Sequence, residues 1–350
     1  MPPGAWVLLT DDGDTQSRTA LVTARALASA GYRVAATVSG RHSLVGASNS
    51  CARAVPMPPI SDPAFDEHLE AELRRGSYAC VFPTSDAALL KLEPAVADLV
   101  DKRALTRRCR AAGISAPEST ELPDPAALEA AADELGYPIV LKPLRSSWRP
   151  YAAGSPAELR AALPPDGPLL VQPYLTGTLR AVAGVTRDGA LVAAVHQRYL
   201  RTWPPRCGGA SAAVTVAPDE GLEERLVRLL DGRDGIFMAQ LAGDVLFDLN
   251  PRVYGSLPLA VAAGANLPAI HCDLVRGAEV APLRGRPGVR FRWLEGDVRH
   301  VWSQLRRGTL GPGAAVGALR PRRGTAHPVE SLRDPGPMRA RLRYALGRRR

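Results

Sequence analysis

Apolar and polar positions follow two different periods along the first hundred residues. Residues 6–10 (WVLLT), 32–38 (YRVAATV) and 78–83 (YACVFP) are short apolar runs, which predict buried parallel strands. Residues 17–31 and 63–76 have the apolar spacing and the end signals of helices. This alternation of strand and helix predicts an open α/β layer. Because the layer lacks a GxGxxG motif, it is not expected to bind a dinucleotide.

The middle of the chain mixes helices with hairpins. Strands are predicted at residues 137–143 and 169–174, and two hairpins are predicted around Asp188-Gly189 and Gly243-Asp244. Residues 114–125 contain three prolines and predict an extended linker. Further helices are predicted at residues 87–99, 101–112, 126–135, 156–163, 220–230, 257–263 and 269–276.

The segment after Pro282 is rich in Arg, Gly and Pro, and we assign no helix or strand in it. Trp293 and Trp302 indicate that its first part is packed. Arginines cluster from Arg284 onward and contribute to a net charge of +9. Because the other arginines are spread along the chain and no nucleic-acid motif accompanies them, we interpret this charge as a basic tail and expect no nucleic-acid partner.

The composition is that of a soluble globular protein. Of the 350 residues, 46% are hydrophobic and 23% are charged, which suits two or three domains. No apolar run reaches the roughly 18 residues of a transmembrane helix, so no membrane partner is expected. The first residues lack the pattern of a signal peptide, which favours a cytoplasmic location. The five cysteines are widely spaced without a CxxC motif, so we expect neither a zinc site nor a disulfide framework.

Lysine is rare in this chain. Only three of the 44 Lys and Arg residues are lysine, namely Lys91, Lys102 and Lys142. Where nearly every cation is arginine, a remaining lysine indicates a position that needs a compact ammonium rather than a planar guanidinium. The alternative, that any one of them is a remnant of compositional drift, stays open.

Polar side chains stand at the ends of several predicted elements. Lys142 ends the strand YPIVLKP, where an ammonium can hold phosphates, and Lys102 opens a helix, whose first turn attracts anions. Gln172 closes the apolar strand LLVQPY, and the turn after it can pair an adenine edge through backbone groups. Asp248 and Asn250 in FDLNPR project from one face of a strand and form a hard-oxygen set suited to Mg²⁺.

Two further polar residues lie at such ends. Arg252 belongs to the same FDLNPR segment and can bind an anion through two N–H groups. Asp86 follows the strand at residues 78–83, at the edge where ligands commonly approach an α/β sheet.

These motifs together resemble a known superfamily. Asp101-Lys102 at the head of a helix, YPIVLKP, LVQPYLTG and FDLNPRVYGSLPLAVAAGANLP, in this order and spacing, resemble the ATP-grasp superfamily, and within it the carbamoyl-phosphate-synthase-like carboxylate–amine ligases. The resemblance covers residues 101–277. It implies an α/β fold, with α+β character in the ATP-binding part: an N-terminal open α/β pre-ATP-grasp domain followed by a two-lobed ATP-grasp fold.

The resemblance also implies domain boundaries. The N-terminal domain would span residues 1–100, the small lobe with its linker helix residues 101–178, and the large lobe with a metal site residues 179–280. Residues 281–350 would form a partly packed extension rich in Arg, Pro and Gly.

Carried over by position, the resemblance assigns roles to individual residues. Lys102 and Lys142 would hold the phosphates of ATP, and Gln172 and Leu175 would hold its adenine. In the loop after Lys142, Ser146 would donate to the nucleotide. The ions Mg²⁺ or Mn²⁺ would be bound by Asp248, Asn250 and Gln240. Catalytic roles fall to Arg252, Lys142 and Arg206, and Lys91 falls on no such position and is expected at the surface.

The implied reaction joins two small molecules. A substrate carboxylate would attack the γ-phosphate of ATP, and a substrate amine would then attack the acyl phosphate, which forms an amide or peptide bond and releases ADP and phosphate. Arg206 and His196 would line the acceptor site, or else be a solvated loop charge and a structural histidine. A homodimer is left open.

The sequence departs from the family pattern at three positions. The departures at Gln240 and Leu179 support an alternative, whereas the retained polar residues oppose it, namely Asp248, Asn250, Arg252, Lys102 and Lys142. Gln240 stands where a metal-binding acid is expected, Asp248 stands where Glu is expected, and Leu179 replaces a ribose-binding acid. One carboxylate charge about 4 Å from a cation contributes roughly 4 kcal/mol of attraction before desolvation, so the metal site is weakened. The alternative is a catalytically weakened ATP-binding module that acts as a scaffold or sensor. A carboxylase that needs a biotin-type carrier is a third possibility, which no residue here supports.

Overall fold

The protein is described by a computed structural model, which covers residues 4–11, 13–40, 42–123, 127–145, 148–161 and 167–347. The strands are β1 Trp6–Thr10, β2 Arg33–Val38, β3 Arg53–Pro56, β4 Tyr78–Pro83, β5 Thr120–Leu122, β6 Ile139–Pro143, β7 Tyr151–Ala153, β8 Leu169–Pro173, β9 Leu179–Arg187, β10 Ala190–Trp203, β11 Gly209–Thr215, β12 Gly235–Ala242, β13 Val245–Asn250, β14 Leu283–Arg284 and β15 Arg290–Arg292. The helices are α1 Arg18–Ser29, α2 Phe65–Arg75, α3 Asp86–Leu92, α4 Ala97–Val100, α5 Lys102–Ala111, α6 Leu128–Leu135, α7 Pro156–Ala161, α8 Glu220–Leu230, α9 Leu257–Ala262, α10 Leu267–Val275, α11 Leu294–Arg306, α12 Pro312–Leu319 and α13 Gly336–Gly347.

The N-terminal layer is a parallel four-stranded sheet in the order β3-β2-β1-β4. Its helix α1 begins where the sequence predicts, because the Ser17 hydroxyl accepts a hydrogen bond from the Ala20 N–H and caps the first turn. The apolar runs of β1 and β2 are buried on both faces. Strand β3 was not predicted, because Val55 is its only buried residue and it therefore has no apolar run.

The helix predicted at residues 87–99 is wrong as a single element. The structure divides it into α3, a 3-10 turn at Pro94–Val96, and α4. Proline has no backbone N–H and clashes with the preceding turn, so Pro94 ends the α-helical segment and begins a new one. The next predicted helix is confirmed as α5, and the Asp101 carboxylate caps it by accepting from the Arg103 and Ala104 N–H groups.

A small antiparallel sheet follows in the order β5-β8-β6-β7. The expected linker at residues 114–125 contains its edge strand β5, so the linker prediction was wrong for Thr120–Leu122. A short edge strand with one buried residue leaves no periodic signal in the sequence. Strand β7 was missed for the same reason, since it has only three residues.

The largest sheet has seven strands in the order β13-β12-β9-β10-β11-β15, and β14 pairs with β10. The β9–β10 hairpin turns at Asp188 and Gly189, whose positive φ angles of 50° and 74° match the primed turn that the sequence predicts. Strands β14 and β15 lie beyond residue 280 and still belong to this sheet. The domain boundaries remain predictions. Strands β14 and β15 extend the large sheet beyond the boundary that is predicted at residue 280.

Residues after 280 are tied to the rest of the molecule by buried charges. Asp297 of α11 is fully buried and accepts from Arg201 Nε at 2.5 Å and from Arg201 Nη2 at 2.9 Å. It also forms an ion pair with Arg292 Nε at 3.1 Å. Asp334 is bound in the same way by Arg25 Nε at 2.9 Å. No helix within the described ranges combines the length and the apolar character needed to cross a bilayer.

Candidate active site

A cavity of about 470 Å³ lies between the small sheet and the large sheet. Both sheets contribute strand residues to its walls, and the loop between β10 and β11 closes one side. Many of the residues singled out by the sequence line this cavity, namely Lys102, Lys142, Gln172, Leu175, Arg206, Gln240 and Asp248. Because these residues are distant in sequence, the fold alone brings them together.

Lys142 projects from β6, whose five residues are all buried. Its Nζ donates to the backbone oxygen of Phe247 at 3.1 Å and lies 5.2 Å from the centre of the Phe247 ring. Burial lowers the pKa of Lys142 to about 8; the charge of Asp248 opposes the shift and that of Lys102 adds to it. No carboxylate of the described residues forms an ion pair with this ammonium, so it retains donor capacity for an anion in the cavity.

Lys102 is the first residue of α5 and lines the same cavity as Lys142. Its backbone N–H donates to the Leu144 oxygen at 3.0 Å, which joins α5 to the end of β6. Its Nζ forms an ion pair with Asp248 Oδ1. Lys102 is therefore already paired with a carboxylate, whereas Lys142 is not.

Asp248 is the only acid on the cavity wall among the described residues. Besides Lys102, it accepts hydrogen bonds at Oδ2 from Gln240 Nε2 at 2.9 Å and from Asn250 Nδ2 at 3.0 Å. Burial on its own raises the pKa of Asp248, but the positive charges around it, Lys102 first, outweigh burial and hold the pKa below its usual range. The carboxylate is therefore ionised, and it accepts from three donors.

Arg252 connects this site to the N-terminal sheet. Its Nη2 donates to Asn250 Oδ1 at 2.8 Å, and its Nε donates to Asp86 Oδ1 at 2.6 Å. Asp86 begins α3 at the carboxyl end of β4, the edge where the sequence places a ligand contact. In the structure Asp86 binds Arg252 and so fixes the direction of the guanidinium.

The predicted metal ligands are close together but are not arranged as a finished metal site. Gln240 Oε1 accepts from the Tyr199 hydroxyl at 3.1 Å, and Asn250 Oδ1 accepts from Arg252, so both amide oxygens face away from Asp248. Across the part of the chain that the structure describes, no group of three or more His, Cys, Asp or Glu side chains could hold a metal ion. One carboxylate and two amides fit a single Mg²⁺ that is held partly by nucleotide phosphates, after both amides rotate.

The predicted adenine contacts lie on the opposite wall of the cavity. Gln172 is buried at the end of β8, and its Nε2 donates to the Ser119 hydroxyl at 2.7 Å. This bond fixes the Gln172 amide against the segment before β5. Leu175 lies two residues after β8 and lines the cavity. The roles of both residues in adenine binding remain predictions.

Arg206 crosses from the large sheet to the small one. Its Nη1 pairs with Glu158 Oε2 at 2.8 Å, and the same carboxylate oxygen accepts from the Gly154 N–H at 2.8 Å. A Cβ at Gly154 would lie 2.8 Å from Arg206 Nη1, so a larger residue there would make the guanidinium move. The side chains of Arg206 and Glu158 are both about half exposed, so Arg206 forms a surface ion pair at the edge of the cavity, and its catalytic role remains a prediction.

Other sequence predictions fall outside the cavity. His196 is buried beside Glu223, with Nε2 and Oε1 2.9 Å apart, and Arg284 pairs with the same carboxylate at 2.8 Å. This cluster supports the structural interpretation of His196 and not the acceptor-site one. Lys91 is exposed and pairs with Asp66, as expected for a surface lysine. Ser146 lies outside the described residues, so its predicted role stays a prediction.

Sequence reasoning missed several residues of the cavity, among them three that lie next to predicted ones. Tyr199 holds Gln240 in place, Phe247 supplies both a carbonyl and a ring to Lys142, and Cys207 lines the wall next to Arg206. Burial raises the pKa of the Cys207 thiol to about 11, so it is neutral. Phe247 was detectable as the neighbour of Asp248, whereas Tyr199 lies in a part of β10 that runs beyond the predicted hairpin.

The fold was compared with known proteins. No protein-family model and no curated protein matches the sequence. Solved structures do match, at low sequence identity. N5-carboxyaminoimidazole synthetase from Staphylococcus aureus, complexed with ADP, is 14% identical with a TM-score of 0.60, over 81% of this chain and 80% of that one. L-amino acid ligase from Bacillus licheniformis is 12% identical with a TM-score of 0.55, over 77% and 74%.

A third match has the same character. The biotin carboxylase domain dimer of Hydrogenobacter thermophilus 2-oxoglutarate carboxylase, in complex with MgADP and bicarbonate, is 14% identical with a TM-score of 0.57, over 81% of this chain and 73% of that one. At such identities the likeness concerns the fold. The N-terminal α/β domain, the two sheets and the cavity between them confirm the expected architecture, and the chain has the ATP-grasp fold.

Proposed function

We propose that this chain is an ATP-dependent carboxylate–amine ligase that uses Mg²⁺ or Mn²⁺. The observation that carries the proposal is the state of three charged residues in the cavity. Lys142 is buried and has no carboxylate partner, and the ionised Asp248 beside it is already paired with Lys102. Unpaired buried ammonium is costly, and a polyphosphate in the cavity would compensate it. The ADP and MgADP in matching structures of the same fold support a nucleotide as that ligand.

Each residue has a separate task in this proposal. Lys142 binds phosphate oxygens as a point charge, and Lys102 exchanges its bond to Asp248 for a second phosphate contact. Asp248 and Asn250 would hold Mg²⁺, which would supply positive charge that stabilises the phosphates during transfer. Arg252, held by Asp86, stabilises the transferring phosphoryl group.

The chemistry then needs no nucleophile from the protein. A substrate carboxylate oxygen forms a bond to the γ-phosphorus as the bond to ADP breaks. The nitrogen of an amine substrate next attacks the acyl carbon, phosphate leaves, and the nitrogen loses a proton to solvent. Arg206 and Glu158 close the cavity on one side and limit the access of water to the acyl phosphate. Specialised small-molecule metabolism in the cytoplasm and a homodimeric state belong to the same proposal.

The test is ADP release, screened against a panel of amino acids and amines with MgATP. Wild-type protein should release ADP with at least one pair, and Asp248→Asn should reduce that rate by about a hundredfold or more while the protein stays folded. The control is Asp66→Asn, which makes the same change in a surface ion pair with Lys91 and should keep full turnover.

The crowded hydrogen bonding of Asp248 also favours a second candidate, an ATP-binding module without ligase activity. Three donors already satisfy its carboxylate, and no second acid lines the described cavity wall. In this case MgATP would raise the melting temperature, while no pair of substrates would release ADP. That outcome would overturn the ligase proposal and support the scaffold or sensor.

A further inference from the structure

A cavity of about 460 Å³ lies outside the nucleotide site, where helix α13 packs against the N-terminal sheet. Its lining comes from the carboxyl end of β2 with the loop after it (the β2 loop, residues 42–49), from α13, and from Ala54 of β3. Apart from three basic residues, the described lining contains only glycine, alanine, serine and a single valine. This cavity shares no described residue with the nucleotide cavity.

The three basic residues of the cavity are His42, Arg339 and Arg343. All three are exposed, and no acidic residue belongs to the described lining. Arg339 and Arg343 are four positions apart on α13, so they lie on one side of the helix, where like charges repel each other. Arg341 pairs with Glu295 at 2.7 Å, whereas neither of the other two guanidinium groups has an ion pair or a hydrogen bond among the described residues. Their donors are therefore available to a ligand.

The β2 loop and α13 are held together on both sides of the cavity. Gln16 joins them at one end, because its Nε2 donates to the His42 oxygen at 2.9 Å and its Oε1 accepts from Arg341 Nη1 at 3.1 Å. At the other end the buried Asp334, just before α13, accepts from the Ser48 hydroxyl at 2.6 Å. The walls of the cavity are thus fixed by the fold and do not depend on a ligand, as in most small-molecule sites.

The backbone around the cavity is also specialised. His42 has a φ angle of 67°, in the left-handed region that residues other than glycine seldom adopt. A Cβ on Gly336 would lie 1.9 Å from the Ala47 oxygen, so α13 can approach the β2 loop this closely only with glycine there. Uncommon backbone conformations persist where the surrounding structure holds them, and they are frequent at ligand sites. Both features place the basic side chains around one space.

We propose that this cavity binds a phosphorylated small molecule, at a site separate from the nucleotide cavity. Two guanidinium groups and one imidazole line it and can donate to the three terminal oxygens of a phosphate monoester, whereas a carboxylate has only two oxygens. The volume leaves room for more than the phosphate, and the small residues around the basic ones suit an apolar body. The site goes beyond the proposed ligase function, since none of its residues has a role there.

The chain offers a matched control for the two arginines. Arg107 and Arg110 lie three positions apart on α5, are exposed, and form no ion pair among the described residues. Neither of them lines this cavity or the nucleotide cavity. The double variants Arg339→Gln/Arg343→Gln and Arg107→Gln/Arg110→Gln therefore make the same change in net charge, and only the first alters the cavity.

The first experiment measures binding of phenyl phosphate by calorimetry at fixed ionic strength. Wild type and Arg107→Gln/Arg110→Gln should bind it equally, and Arg339→Gln/Arg343→Gln should bind it about tenfold more weakly or not at all. Lys142→Ala should retain the binding, because the nucleotide cavity is not the site. The inference is overturned if wild type does not bind, if both double variants are weakened equally, or if binding is lost only in Lys142→Ala.

The second experiment changes the shape of the cavity without changing its charge. Ala54→Phe puts a large ring into the lining, and Ala52→Phe makes the same change at an exposed residue outside it. Ala54→Phe should weaken binding of phenyl phosphate about tenfold, whereas Ala52→Phe should leave it unchanged. Unchanged binding in Ala54→Phe would place the ligand on the open surface and contradict a site in the cavity. Binding of heparin without binding of phenyl phosphate would identify a surface for an anionic polymer, which also overturns the inference.

Discussion

The buried charges of this molecule fall into two kinds of environment. In the cluster around Asp297, two arginines surround one carboxylate with bonds of 2.5 to 3.1 Å, and the carboxylate is completely buried. In the cavity, by contrast, Lys142 is buried against a single carbonyl oxygen. The first arrangement leaves no bonding capacity for a ligand, whereas the second keeps an ammonium available.

The residue types differ in the same way. The closed clusters, around Asp297 and around Glu223, use arginine, whose planar fork matches a carboxylate with two parallel bonds. The cavity wall contains both arginines and lysines, and its Lys142 is a point charge that can follow phosphate oxygens as they move. Lys142 is thus a charge available to a ligand, whereas the arginines of the closed clusters stabilise the fold.

The largest expected effect is at Lys142. Lys142→Ala should abolish most of the stabilisation by MgATP, which for wild type amounts to about 2.7 kcal/mol at a hundredfold excess over Kd. The reason is the loss of the one buried ammonium that lacks a carboxylate partner. Thermal unfolding with and without MgATP measures it, and Lys91→Ala at the surface is the control. An unchanged melting shift in Lys142→Ala would exclude a phosphate role for this lysine.

The closed cluster should give the reverse result. Asp297→Ala leaves Arg201 and Arg292 buried without their carboxylate, which typically costs about 3–5 kcal/mol of folding free energy. Denaturant unfolding should show this loss, while the MgATP-dependent shift of the protein that remains folded stays at its wild-type size. A lost nucleotide response at full stability would show that the two regions are not separate.

The fold was largely predictable from apolar periodicity, with two kinds of exception: several short strands, and four longer elements for which the sequence analysis made no assignment, namely β11, α11, α12 and α13. Strands such as β1 and β13 have apolar runs or turn signals of their own. Strands β3, β7 and β15 have three or four residues and few buried side chains, so only pairing with a longer neighbour defines them. The local sequence of these strands does not indicate which neighbour they pair with.

The site shows the same limit. Lys142 and Asp248 stand at strand positions that the order of motifs indicates, and the structure brings both to one cavity. Arg252 and Asp86 are 166 positions apart in the sequence. That these two residues pair depends on how the N-terminal sheet packs against the rest of the fold. For Gln240 the sequence indicated a metal ligand, while the structure shows an amide held by Tyr199 and turned toward Asp248 by its nitrogen.

A smaller effect is expected at Gln240, where the described cavity wall lacks a second carboxylate. Gln240→Glu places a second carboxylate beside Asp248, and the Tyr199 hydroxyl can still donate to it. Attraction to a divalent ion rises, partly offset by repulsion between the two acids, so the Mg²⁺ concentration for half-maximal nucleotide binding should fall about tenfold, or ~1.4 kcal/mol. Gln240→Met, which removes the ligand, should raise it. A Mg²⁺ titration that is the same for both variants would remove Gln240 from the metal site.

The smallest effect concerns a charge that the fold excludes. His271 of α10 packs edge-on against Phe82 of β4, with ring centres 5.6 Å apart, between the N-terminal sheet and the ATP-grasp part. Burial lowers the pKa of His271 to about 4, and the positive charges of Arg233 and Arg187 contribute. Among the described residues, no carboxylate pairs with the His271 ring as in the closed clusters. The ring also does not line the cavity, where an anion could bind.

The sign of the pH effect follows from that pKa. Because the folded pKa lies below the unfolded value of about 6.5, the unfolded chain binds more protons as pH falls between 6.5 and 4, and stability is lost over this window. The ring is partly exposed, so the loss should be limited to about 1 kcal/mol. His271→Gln should remove this part of the pH dependence of unfolding, whereas His68→Gln at an exposed position of α2 should retain it. An identical pH profile for wild type and His271→Gln would show that the imidazole accepts its proton in the folded state and that this interface tolerates charge.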